Sequence, residues 1–220
     1  AVLRVLQANP ANLGAKAEWA PIRAGISADG QQGFTFGYMT IRKEGAADRQ
    51  AKYLAYWVKR TEGWRVAVYK RVPKPEGQGS AAMAPLVPGK LVRPRMDPAL
   101  VEKLGKSLAA AEKNFSDEAQ KIGLAAAFRK NGRADAMNMG RDASFTIGAE
   151  AIGAGFKPEP TSPLNWSADE VIVASSGDLG VTIGMIRSNA PPPEGRPAAV
   201  PFFTVWYRAQ PSEPWRYVAE

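Results

Sequence analysis

The chain has 220 residues, 45% of them hydrophobic and 23% charged, the balance of a globular protein with enough apolar residues for one large core or two modest ones. It contains no cysteine and no histidine, which excludes disulfides, thiol nucleophiles and zinc–thiolate sites, and removes the usual general base and commonest metal ligand. No apolar run approaches the roughly 18 residues that suggest a membrane span, and the net charge of +8 is uneven, with 16 Lys and Arg against 6 Asp and Glu over residues 1–96.

A basic half can attract nucleic acid or another anion. Here Arg42-Lys43, Lys59-Arg60 and Lys70-Arg71 sit at apparent strand ends, where solvated charge is ordinary, and no reading helix accompanies them. No sequence-specific nucleic-acid partner is expected, nor a metal or cofactor: the chain has no Gly-rich phosphate loop, nucleophile elbow or metal-ligand cluster. The absence of cysteine fits a periplasmic or exported bacterial protein, the first expectation, and fits a cytoplasmic one as the alternative.

Along the chain, Asn9-Pro10-Ala11-Asn12-Leu13-Gly14 reads as turn chemistry. Four strands are predicted next, over 19–26, 33–42, 52–60 and 64–72, the last two joined by Thr61-Glu62-Gly63. Period two puts Phe34, Phe36 and Tyr38 on one face. Residues 76–97 are rich in Pro, Gly and Ala and read as a linker, laid on a surface through Leu86, Val87, Leu91 and Val92.

Asp97-Pro98 has the form of a helix start. Leu100, Leu104, Leu108, Ala111 and Phe115 follow at helical spacing, and the helix either breaks at Ser116 or runs on to Gly123. A second helical piece, 124–130, ends at Asn131-Gly132. A short helical run holds Glu150-Ala151-Ile152, and strands return over 166–175, 180–187, 200–208 and 215–219.

The two strand blocks resemble each other. Ala28-Asp29-Gly30-Gln31-Gln32-Gly33 answers Ser175-Ser176-Gly177-Asp178-Leu179-Gly180 at an offset of 147, and Trp19 answers Trp166 at the same offset. Trp57 answers Trp206 at 149, and Trp64 answers Trp215 at 151. The drift is what insertions in hairpin loops produce. The expected organisation is therefore an incomplete first repeat over 1–75, a linker over 76–97 and a complete second unit over 98–220. In that scheme Ala1 corresponds to position 148, so the helical part of the first repeat is expected upstream of Ala1. The aromatic face of Phe34, Phe36 and Tyr38 needs a cover. That upstream segment of about 50 residues is the favoured source, ahead of the linker near 80–95 or a second copy of the chain.

The order of elements, with Phe128, Asp142, Phe145, Glu150-Ala151-Ile152, Trp166, Ser176-Gly177-Asp178-Leu179-Gly180, Val205-Trp206 and Trp215-Arg216, resembles the nuclear transport factor 2-like superfamily. The likeness is to its bacterial SnoaL-like or ketosteroid-isomerase-like members of unassigned function. The resemblance covers 98–220 as a whole unit and 1–72 as part of one. It implies an α+β fold in which a curved antiparallel sheet packs with helices into a cone, two copies in tandem, each cone enclosing an apolar pocket.

Enzymes of that superfamily place a carboxylate, often with a histidine or tyrosine, inside the cone. This chain departs from the pattern by having no histidine, which leaves Asp142 as the candidate base, or else a cap or turn residue. Phe145, Trp166, Val181, Ile183, Met185, Arg187 and Trp206 are the expected pocket lining; for Arg187 a water-facing strand end, and for the tryptophans a core role, are the competing readings. The function expected is a non-catalytic module holding a small apolar molecule or a partner chain, with a homodimer as a further partner. The rival is a carboxylate-based isomerase or hydrolase acting in the second unit.

Overall fold

Alternating apolar and polar residues between glycine-bearing turns give this chain mostly strands, joined as hairpins. In the computed structural model, which describes residues 12–191, 195 and 197–220, β1 (Lys16–Ile26), β2 (Gln32–Arg42), β3 (Arg49–Arg60) and β4 (Gly63–Pro73) form one sheet in that order. Of the turn expected over 9–14, residues 9–11 lie outside the described residues. After α1 (Pro98–Asn131) come β5 (Gly132–Asn138), β6 (Thr146–Ile147) and α2 (Ala149–Ala154). Next are β7 (Leu164–Val173), β8 (Leu179–Ser188), β9 (Ala199–Tyr207) and β10 (Arg216–Ala219). The second sheet runs β6-β5-β10-β9-β8-β7, with β5 and β10 parallel and the other pairs antiparallel. The protein is α+β: two sheets of four and six strands, mostly antiparallel, with few helices.

The chain divides into two compact units, and the division is not contiguous along it. The first holds Ala1–Gly25, Gly33–Leu86 and Met139–Phe145; the second holds Ile26–Gln32, Val87–Asn138 and Thr146–Glu220. The expected boundaries near 75 and 97 miss two exchanges, the hairpin tip 26–32 and the segment 139–145, and side chains explain both.

In the first unit the sheet has two different faces. Phe34, Phe36 and Leu54 lie on one, buried, and the segment 139–145 covers it: Phe145 sits 5.2 Å from Phe36 and 5.3 Å from Tyr38, centroid to centroid. The cover comes from a distant stretch of chain, helped by the linker, where the Ser80 N–H donates to Tyr38 at 2.5 Å. Lys52 fastens the segment. Its side chain is fully buried, and Nζ donates to the carbonyls of Met139, Asp142 (2.5 Å) and Ser144 (3.0 Å), with that of Gly140 at 3.3 Å. Burial pushes the ammonium's pKa down, opposed by the Asp142 charge. The carbonyl cage supplies the polar partners that a buried ammonium needs.

The other face carries Met39, Ile41, Tyr53 and Ala55, with Trp57 and Tyr69 partly buried beside them. Trp19 stands on this face against Tyr53 (4.5 Å) and Tyr69 (5.6 Å). The linker follows β1, its N–H groups at Met83 and Leu86 donating to Ile22 and Ala24, so the edge strand is paired rather than left open. Of the four apolar residues expected to anchor it only Leu86 is buried; Val87, Leu91 and Val92 are exposed. The expected contact through all four is corrected: backbone hydrogen bonds hold this segment, and most of its apolar side chains do not.

In the second unit α1 starts as expected, with the Asp97 carboxylate accepting from the N–H groups of Ala99 and Leu100. It does not break at Ser116. It runs to Gly123, where φ of 78° interrupts it, and a side chain there would meet the Glu159 carbonyl at 1.8 Å. Gly132 closes the helix at φ −87°, so no left-handed cap forms; glycine is needed because a Cβ would lie 2.5 Å from the Tyr217 ring. Phe115 is the centre of the core between α1 and the sheet, with Phe128, Trp166, Trp206 and Tyr217 at 4.8–6.0 Å. The strand β5 is not predicted by the alternation of its own residues. It forms because β10 offers it a parallel partner.

The two sheets share register in detail. Trp57 pairs with Val66 and Tyr56 with Val68, leaving Ala67 as a bulge; Trp206 pairs with Tyr217 and Val205 with Ala219, leaving Val218 as a bulge. A Cβ on Gly37 would strike the Ala20 carbonyl at 2.3 Å, and one on Gly184 would strike the Ser167 carbonyl at 1.9 Å. The turns match as well. Ser27 N–H donates to Gln32 and Gly30 N–H to Ser27, as Ala174 N–H does to Leu179 and Gly177 N–H to Ala174, with Gly30 and Gly177 both at positive φ.

Candidate functional site

One carboxylate lies in the helix–sheet core. Glu112 follows Leu108 by four residues and precedes Phe115 by three, so helical periodicity puts it in the apolar stripe that faces the sheet, and it is fully buried. Its Oε1 accepts from the Trp166 indole N–H at 2.6 Å, and its Oε2 from the Trp206 indole N–H at 2.9 Å and the Thr182 hydroxyl. Thr182 Oγ1 itself stands 3.1 Å from Trp206 Nε1. One turn back, Ser107 Oγ accepts from the Trp215 indole at 3.2 Å, and Ser116 Oγ accepts from the Trp166 backbone N–H at 3.0 Å. Trp166 and Trp206 of the second sheet, and Trp215 just ahead of β10, thus each give an indole N–H to a side chain of α1.

Burial pushes the Glu112 carboxyl above its ordinary range, and the hydrogen bonds from Thr182, Trp166 and Trp206 pull it only part of the way back. A carboxylate in this state can hold a proton and fix three neighbours. With both oxygens occupied by protein donors and no surface exposed, it makes no contact with a solvent-borne substrate in this conformation.

A corresponding pair in the first sheet stands without the acid. The Trp57 indole donates to Thr35 Oγ1 at 3.0 Å, as Trp206 does to Thr182, but both Trp57 and Thr35 are only half-buried. Trp19 is 44% exposed and Trp64 40%, against 6% for Trp215. Lys59, directly opposite Trp64 in the ladder, shares its face and is exposed.

The two glycine turns carry a second buried acidic cluster, all of it in the second unit. Asp29 accepts from the hydroxyls of Ser27 (2.6 Å) and Ser175 (2.7 Å) and from the N–H groups of Gln31 and Ser176. Asp178 accepts from the Ala28 N–H at 2.8 Å and from the Ser176 hydroxyl at 2.5 Å. Burial pushes the Asp29 pKa up, yet its four hydrogen bonds outweigh that and leave it lowered. This mutual grip is why the tip 26–32 belongs with the second unit.

The residues singled out from the sequence are not gathered into one site. Asp142 is exposed and lies on the segment 139–145 of the first unit. It is a counter-charge for Lys52 and stands outside the unit in which a base was expected. Phe145 also falls in the first unit, packed on Phe36 and Tyr38. Trp166 and Trp206 face α1 through Glu112. Val181, Ile183, Met185 and Arg187 alternate with Gly180, Thr182 and Gly184, and it is Gly180 and Thr182 that meet α1, so the four project from the opposite face of β8. Val181 is buried there, whereas Arg187 is exposed and bonds Ser167 Oγ at 3.3 Å. The expected lining is split because strand parity divides it between two faces.

Sequence reasoning missed Glu112. The signal was present as a charged residue at i+4 and i−3 from two members of the apolar stripe. Among the described residues no group of three or more Asp and Glu is placed to hold a metal ion, and no helix is long and apolar enough to cross a membrane. The chain matches no family model, and no curated protein shows significant similarity to it.

Proposed function

We propose that the protein is a non-catalytic binding or scaffolding module, built from two related sheets of the cone-forming, nuclear transport factor 2-like kind. The observation that carries this reading is the saturation of Glu112: this carboxylate of the helix–sheet core is fully buried and holds three protein donors. It fixes α1 to its sheet. The shared bulges, glycine contacts and turn bonds of the two sheets support a tandem origin. The exposed aromatics Trp19 and Trp64 supply apolar surface for a partner or small apolar molecule.

The test sets the module against the carboxylate-based isomerase. The chain is incubated in deuterated water with a panel of apolar cyclic ketones, and exchange at the carbon next to the carbonyl is followed by NMR. The expected result is tryptophan fluorescence change on binding with no deuterium incorporated above buffer. Incorporation abolished by Glu112→Gln or Asp142→Asn would establish proton abstraction and end the non-catalytic reading.

A further inference from the structure

In the second unit three tryptophans, two in the sheet and one just ahead of β10, are engaged by one helix: Trp166 and Trp206 through Glu112, Trp215 through Ser107. In the first sheet the positions that correspond by register are Trp19, Trp57 and Trp64. The internal Trp–Thr hydrogen bond is kept, at 3.0 Å in one sheet and 3.1 Å in the other. What differs is the cover: Trp19 and Trp64 are 44% and 40% exposed.

We propose that the Trp19–Trp57–Trp64 face of the first sheet is a docking surface for an amphipathic helix of another chain. That helix has an apolar stripe broken by one carboxylate, as α1 has. The proposal rests on the tandem reading given above, since α1 is the template for what this face accepts. The carboxylate would take the place Glu112 holds, over the Trp57–Thr35 pair.

Charge agrees with that occupant. Lys59 shares the face with Trp64, and Arg71, opposite Tyr53 in the ladder, lies on it too; residues 1–96 hold 16 basic against 6 acidic side chains. A surface of exposed indoles with cations beside them selects an apolar helix bearing negative charge, because each cation left near an uncharged partner gains nothing from the contact. Tryptophan and arginine are also the side chains on which binding energy most often concentrates.

The probe is a synthetic peptide with the sequence of residues 97–131, titrated into the full chain and followed by calorimetry and by the indole N–H resonances. Saturable binding is expected, with shifts at the indoles of Trp19, Trp57 and Trp64 and not at those of Trp166, Trp206 and Trp215. Trp64→Glu in the chain, or Glu112→Ala in the peptide, should each weaken binding by about tenfold or more, the scale of a central contact. Three results overturn the proposal: no binding at millimolar peptide, binding unchanged by Trp64→Glu, or shifts confined to the second sheet. A concentration-dependent dimer that protects Trp19 and Trp64 would also overturn it, by assigning the face to a second copy. Deuterium exchange in the ketone assay does not enter here, so the non-catalytic reading and the docking surface can fail separately.

Discussion

Trp206 and Trp57 each give an indole N–H to a threonine on the neighbouring strand, at 3.1 Å and 3.0 Å, and each sits beside a one-residue bulge in the same register. Their surroundings differ. Trp206 is fully buried under Glu112 and Phe115, while Trp57 is half-buried and Trp64 is 40% exposed. The same strand geometry therefore supports two energetic roles. What decides between them is how deeply each indole is covered, since burial of a large aromatic, more than its single hydrogen bond, sets its contribution.

The sharpest way to break this comparison is truncation of the matched tryptophans, read by urea unfolding of the full chain. Trp206→Ala should cost about 3–5 kcal/mol, the range for a large buried aromatic. Trp64→Ala should cost less, about 1–2 kcal/mol, because 40% of its surface is already exposed. Equal losses at Trp64 and at its counterpart Trp215 would show that the helix makes no energetic difference.

Glu112 sharpens it next. Glu112→Ala takes the acceptor from the Trp166 indole N–H and leaves Trp206 and Thr182 only their longer bonds to Thr182 Oγ1 and the Thr204 carbonyl, at a cost of about 1–3 kcal/mol. The pH dependence has a definite sign. The folded-state pKa is raised above the ordinary value of 4.5, so the folded protein keeps a proton that the unfolded chain has released. The resulting stability is full below pH 4.5 and is lost as pH rises through the folded value. Glu112→Gln should flatten that part of the stability–pH curve, and an unchanged slope would show that another group is responsible.

Two glycines probe what the sheets share. Gly37→Ala and Gly184→Ala would each drive a Cβ into the carbonyl of the neighbouring strand, at 2.3 Å and 1.9 Å. Both should destabilise by about 1–3 kcal/mol, as overpacking does. A loss at one position only, in thermal unfolding, would break the equivalence of the two sheets.

The smallest expected effect is at the turns. Asp29→Asn should cost about 1 kcal/mol at neutral pH, since Asn keeps one oxygen but weakens the charge-assisted bonds. Here the sign is opposite to that of Glu112. With the Asp29 pKa held below 3.8, its stabilisation is present above that value and is lost as pH falls through the folded pKa. Acid unfolding of the Asn variant should therefore lack this component.

Local pattern by itself determines the hairpins. Period-two alternation and glycine turns place eight of the ten strands among the described residues, and Asp97-Pro98 starts α1 where it is found. These features depend on a few consecutive residues, whose backbone preferences act at short range. The tertiary structure alone decided the rest. Strand β5 needs a partner about 80 residues away, and the segment 139–145 needs a buried ammonium to hold its carbonyls. The pocket expected around β8 divides because alternate residues leave opposite faces of the strand. Glu112 was visible as a misplaced charge in an apolar stripe, but that it meets Trp166, Thr182 and Trp206 follows only from three strands being brought under one helix, and no local pattern encodes a contact whose partners lie 54 to 94 residues apart.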